Sequence, residues 1–68
     1  MYPNPVQDRL TVAGEKLEFV EVFDVHGRMV VRRSGKLGRQ LEISTIGWAG
    51  GIYTLRINGA VVYRLVKR

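Results

Sequence analysis

The sequence predicts an all-β fold, a small antiparallel sandwich or barrel. Three observations carry this. Apolar and polar residues alternate with period two in about six short segments, turn-forming residues separate those segments about every ten positions, and no stretch holds a helical period. The chain has 68 residues and 46% apolar side chains, enough for a single domain spanning 1–68. A domain of that size buries only about 60% of its unfolded surface. There is no cysteine, which removes disulfides and thiolate chemistry, and no His/Cys cluster spaced to hold zinc. Folding without any cofactor is therefore expected.

The chain opens on "YPNP". Pro3 and Pro5 fix their own φ, lack an N–H, and push Tyr2 and Asn4 toward extended backbone, so this segment forms a stiff lead-in to the first strand. "RLTVA" then alternates, with Leu10 and Val12 on one face. "LEFVEVFDV" places Leu17, Phe19, Phe23 and Val25 on one side and Val20 and Val22 on the other, the signature of a central strand. "DVHGR" breaks the run at a tight turn in which Gly27 takes positive φ and Asp24 accepts bonds from the backbone N–H groups that follow. "RMVVRR" returns as the second arm of that hairpin. "SGKLG" reads as a polar loop, and "RQLEIST" alternates again with Leu41 and Ile43 inward.

"GWAGG" is a flexible turn carrying the only tryptophan, and Trp48 closes one end of the core or stacks on a sugar or base. The remaining "IYTLRINGAVVYRLVKR" holds two strands around Asn58-Gly59, a strong hairpin signal. A two-residue loop aligns Tyr53, Leu55 and Ile57 with Arg64, Val62 and Ala60. A three-residue loop aligns them with Leu65, Tyr63 and Val61. Asn-Gly favours the first, an arginine opposite Tyr53 disfavours it, and both registers stay open.

The chemistry of catalysis is missing from the pattern. His26 is the only histidine and sits in a turn, where no partner orients it as a base. "GWAGG" lacks the lysine and helix of a phosphate loop. A net charge of +5 and a pI near 10.3 imply attraction to anionic partners, but the Lys and Arg residues are scattered along strands and turns. No apolar run is long enough for a membrane helix, and no signal-peptide core opens the chain. Met1 directly before the proline motif reads as an initiator on an excised fragment, with a larger cargo upstream.

Taken in order, "YPNP" with "LTV", then "VEVFDVHGRMV", "LEIS", "GGIYTLRI" and a basic final "VYRLVKR" resemble the C-terminal sorting domain of type IX secretion cargo, type A, found on secreted proteins of Bacteroidetes. The resemblance runs the length of the chain. It places the family's proline motif on Tyr2, Pro3, Asn4 and Pro5, its Asp-x-x-Gly-Arg turn on Asp24, Gly27 and Arg28, its Gly-x-Tyr on Gly51 and Tyr53, and its basic last strand on Arg64, Lys67 and Arg68.

The resemblance implies an Ig-like β-sandwich of about six to seven short strands that is no enzyme. It implies binding to the type IX translocon, an outer-membrane shuttle and a sortase. The tail would pass through the periplasm, direct its cargo across the outer membrane, and be cut off as the sortase joins the cargo to anionic lipopolysaccharide. No nucleic acid and no direct membrane insertion are expected, while self-association through edge strands is. Other readings of the same residues are a carbohydrate-binding or adhesion module using Trp48 and, behind it, a basic nucleic-acid-binding barrel.

Overall fold

The computed structural model describes residues 7–68, so the proline motif at Tyr2 to Pro5 lies outside the described residues. Four antiparallel strands, β1 (Arg9–Phe23), β2 (Met29–Ser44), β3 (Gly51–Ile57) and β4 (Val61–Lys67), form one sheet in the order β2-β1-β3-β4. β1 is thus central, as its two apolar faces predict, and it pairs with β2 along its length but with β3 only over Val20 to Phe23.

A straight strand of fifteen residues would reach about 46 Å, yet the longest dimension of the molecule is 29 Å. The β1–β2 hairpin therefore bends back on itself. Two compensating bulges mark the bend. Between the pairs Ala13–Gln40 and Leu17–Gly38, three residues of β1 face one of β2; between Leu17–Gly38 and Phe19–Ser34, three residues of β2 face one of β1. Bulges kink a strand and strengthen its twist. Gly35 and Gly38 take φ of 111° and 80° there, values a side chain would resist.

This bend corrects the expected six to seven short strands. "RLTVA" and "LEFVEVFDV" are two halves of β1, and "RMVVRR" and "RQLEIST" are two halves of β2, while the supposed loop "SGKLG" is the bulged middle of β2. The ladder resumes on both sides of the bend, so one folded hairpin replaces two sheets, and neither a sandwich of that strand count nor a closed barrel is present.

The bend brings Leu10 and Val12, near the start of β1, together with Val20 and Val22 near its end. Ile43, Leu55 and Leu65 complete the same fully buried cluster. Each such side chain contributes about 1.5–3 kcal/mol on burial. Leu17 and Phe19 were expected on one face, but the second bulge separates them: Leu17 is buried and Phe19 is 41% exposed.

The β3–β4 hairpin adopts the three-residue loop, pairing Ile57 with Val61, Leu55 with Tyr63 and Tyr53 with Leu65. An Ala60 N–H to Ile57 C=O bond of 3.0 Å closes the turn. This register seats Leu65, not Arg64, against Tyr53.

Candidate functional site

The turn joining β1 to β2 is built around one carboxylate. Asp24 Oδ1 accepts from the backbone N–H groups of His26 and Arg28, both at 2.9 Å, and Oδ2 accepts from Arg28 Nε at 2.9 Å. The Arg28 backbone N–H, with its guanidinium and the His26 N–H, holds the Asp24 carboxyl below the usual carboxylate range. Gly27 sits at φ 80° and donates its N–H to the Asp24 carbonyl at 3.0 Å. A side chain would strain the turn at that φ. The Asp-x-x-Gly-Arg block is thus a self-satisfied turn, and His26 enters it only through its backbone.

Tyr53 is buried in the core, and its hydroxyl donates to the Ala49 carbonyl at 2.6 Å. Its ring lies 5.0 Å from that of Trp48, centroid to centroid. Trp48 is half-buried and packs against the core. Gly51 opens β3 opposite Lys67. A shallow cleft of about 230 Å³ lies between Asp24–Arg28 on one wall and Ala49–Tyr53 on the other, so the structure brings the two motif blocks together.

The basic residues of β4 separate in role. Arg64 pairs across from Thr54 on the outer face of the sheet, and Arg68 follows the strand, exposed. Lys67 instead reaches back, its Nζ donating to the Gln7 carbonyl and, at 2.9 Å, to that of Arg68. The same Gln7 carbonyl accepts from the buried Thr45 hydroxyl at 2.8 Å, and the Thr45 N–H donates to Asp8 C=O at 2.9 Å. The segment leading into β1 is therefore fastened to the ends of both β2 and β4. Nothing in the spacing of Gln7, Thr45 and Lys67 announces this, because the bonds go to backbone carbonyls.

A second fastening escaped the sequence reading as well. Asn58 Oδ1 accepts from the N–H groups of Glu18 and Phe19 at 2.8 and 3.0 Å, and Nδ2 donates to Lys16 C=O at 2.8 Å. Asn58 also donates its own N–H to Phe19 C=O at 2.7 Å. The tip of the β3–β4 hairpin is thereby pinned to the bend of β1. Only a hairpin tip lying beside another strand needs such an asparagine, and the Asn-Gly pair alone conceals that use.

The described residues form a small one-sheet β domain, and among them no group of three or more His, Cys, Asp or Glu could hold a metal ion. A family model described as the secretion system C-terminal sorting domain matches residues 1–68, the whole chain. The chain belongs to this family, the type IX secretion sorting domains, which are not catalytic and direct secretion across the outer membrane to the cell surface. No curated protein and no solved structure matches it.

Proposed function

We infer that the chain is a folded export tail, read by the type IX translocon and an outer-membrane shuttle and then cut from its cargo by a sortase that anchors the cargo at the cell surface. The family match over the full chain is the observation that carries this reading. The meeting of Asp24 and Arg28 with Gly51 and Tyr53 in one cleft supports it, since blocks far apart in sequence then form one small surface. In this reading the motif residues fall into two groups. Asp24, Gly27, Gly51 and Tyr53 keep the shape that is recognised, and Arg28, Arg64 and Arg68 present charge to it. Tyr2, Pro3, Asn4 and Pro5 carry the proline motif that marks the boundary with the cargo. Pairing between copies through the outer strands is a side reaction of high concentration, and nucleic acid is not a partner.

The test is a secreted reporter fused ahead of the chain in a type IX-competent bacterium. The intact fusion reaches the cell surface, and deletion of residues 64–68 leaves it in the periplasm. Arg68→Ala isolates charge from folding, because removing an exposed charge changes stability by less than about 0.5 kcal/mol. Surface delivery of the truncated fusion at the intact rate overturns the reading.

A further inference from the structure

The face of the sheet that turns away from the core differs from an ordinary solvated strand face. Val20 and Val22 are buried, so Glu21 and Phe23 beside them point outward, and pairing extends this outer face over all four strands. One row runs from Met29 through Phe23 and Thr54 to Arg64, and the next from Arg32 through Glu21 and Arg56 to Val62. The Ile52–Val66 pair continues the face beside Thr54 and Arg64. Met29, Ile52, Val62 and Val66 are all substantially exposed.

Arg56 sits on the inner strand β3, between Glu21 of β1 and Val62 of β4. Its Nε and Nη2 donate to Glu21 Oε1 at 3.0 and 2.9 Å, and its guanidinium carbon lies 5.2 Å from the centroid of Phe23. A cation held over an aromatic face and by a carboxylate is already ordered, so a partner that contacts it spends little entropy on fixing it.

We propose that this outer face is the surface by which the domain docks on a protein of the secretion machinery, against a partner face of carboxylates flanked by apolar side chains. The proposal rests on the export reading above and names the contact surface for it. Charge selects the partner. Arg32, Arg56 and Arg64 stand on the face with a single glutamate, Glu21, so its side chains sum to a net positive charge. A second copy carries the same +5, so like charges oppose self-docking.

The layout also argues against a lipid surface. A membrane-seeking face sets apolar residues at its centre and lets cations reach out at its rim. Here Arg56 stands inside the face, on the inner strand β3 over Phe23 of β1 and directly across from Val62, while Arg32 and Arg64 lie on the edge strands β2 and β4. Arginine and aromatic side chains at the centre of a patch are the composition of protein–protein contacts.

The experiment places a photo-crosslinking amino acid at Val62 in the exported reporter fusion and, as a control, at Lys36 in the bulged bend of β2. We expect Val62 to link, in living type IX-competent cells, to a mass-spectrometrically identified protein of the outer-membrane secretion apparatus, and Lys36 not to. Alongside it, the double variant Ile52→Thr/Val62→Thr keeps two β-branched residues and should melt within a few degrees of wild type while slowing export about tenfold. Arg32→Glu should slow export as well, whereas Lys36→Glu, the same change of charge off the face, should not. Wild-type export of both Ile52→Thr/Val62→Thr and Arg32→Glu overturns the proposal. So do links from Val62 only to lipid or to a second copy, no link at all, or the same links from Lys36. If the unaltered fusion is itself not exported, the export reading falls and this proposal with it; indifference of the face variants beside a normal wild type overturns this proposal alone.

Discussion

Two turns of this domain begin with a short polar side chain, Asp24 at the β1–β2 connection and Asn58 at the β3–β4 tip, and they use it in opposite ways. Asp24 spends both oxygens on residues two and four positions onward. Asn58 spends its amide on Lys16, Glu18 and Phe19, some forty residues back in the chain. The first turn is closed by its own sequence, and cutting its side-chain bonds frees only the turn. The second holds two hairpins against each other, so its bonds are worth as much as the contact they maintain. Local chemistry shapes one, and tertiary geometry shapes the other.

The widest gap between them should appear on removing the asparagine amide alone. Asn58→Gly accepts the φ of 53° found there but loses three side-chain bonds. At a net 0.5–1.5 kcal/mol each, the loss is about 3 kcal/mol, which lowers Tm by about 12–24 °C in a domain of this size. Thermal unfolding followed by circular dichroism measures it, and a drop of only a degree or two would erase the distinction between the turns.

Gly27→Ala is the matching backbone change. Nothing lies within 4 Å of the added methyl, but φ is 80°, and the left-handed conformation costs about 1 kcal/mol for a residue with a Cβ. A smaller fall in Tm is expected, with hydrogen exchange faster in the turn and unchanged at Phe19.

The pH dependence sharpens the contrast further, since only Asp24 titrates. The Arg28 backbone N–H holds its folded pKa below the usual carboxylate value, so its carboxylate stabilises the fold fully above that usual value and loses the contribution as pH falls through the folded pKa. Urea unfolding of wild type and Asp24→Asn should differ most at pH 7, with the gap shrinking as pH falls below the usual carboxylate range, whereas the deficit of Asn58→Gly should not change with pH. His26→Gln completes the series with the smallest effect, within about 0.5 kcal/mol, because the turn uses only the His26 backbone.

What the sequence disclosed follows the same division. Period-two alternation grouped Leu10 with Val12 and Val20 with Val22 on shared faces and turned Leu41 and Ile43 inward. The backbone bonds to Asp24 with the positive φ of Gly27 are legible in "DVHGR", whereas the Arg28 guanidinium bond to Asp24 is not. These are properties of neighbours along the chain. The strand count was misread because a bulge and a loop look alike in sequence: "SGKLG" has loop residues, and only the resumed pairing beyond it shows that β2 continues. Leu17 and Phe19 parted for the same reason. The hairpin register was undecidable from Asn-Gly preference, because the deciding partners of Asn58 lie on β1. Among the candidate site residues, Asp24 and Arg28 share a cleft with Gly51 and Tyr53, a meeting that motif order does not announce, and the grip of Lys67 on Gln7 joins residues sixty positions apart and left no trace in either segment.

That grip has a mechanical side. Tension entering the chain at Gln7 does not begin by peeling Arg9 away from Ser44, the first rung of the ladder. It meets the Thr45 hydroxyl and the Lys67 ammonium on one carbonyl, and the Thr45 N–H on the next. The load is divided at once between β2 and β4, on opposite sides of the sheet, and must break several bonds together rather than one after another. A tail hauled by the end of the chain that leads into β1 is thus braced where the pull arrives.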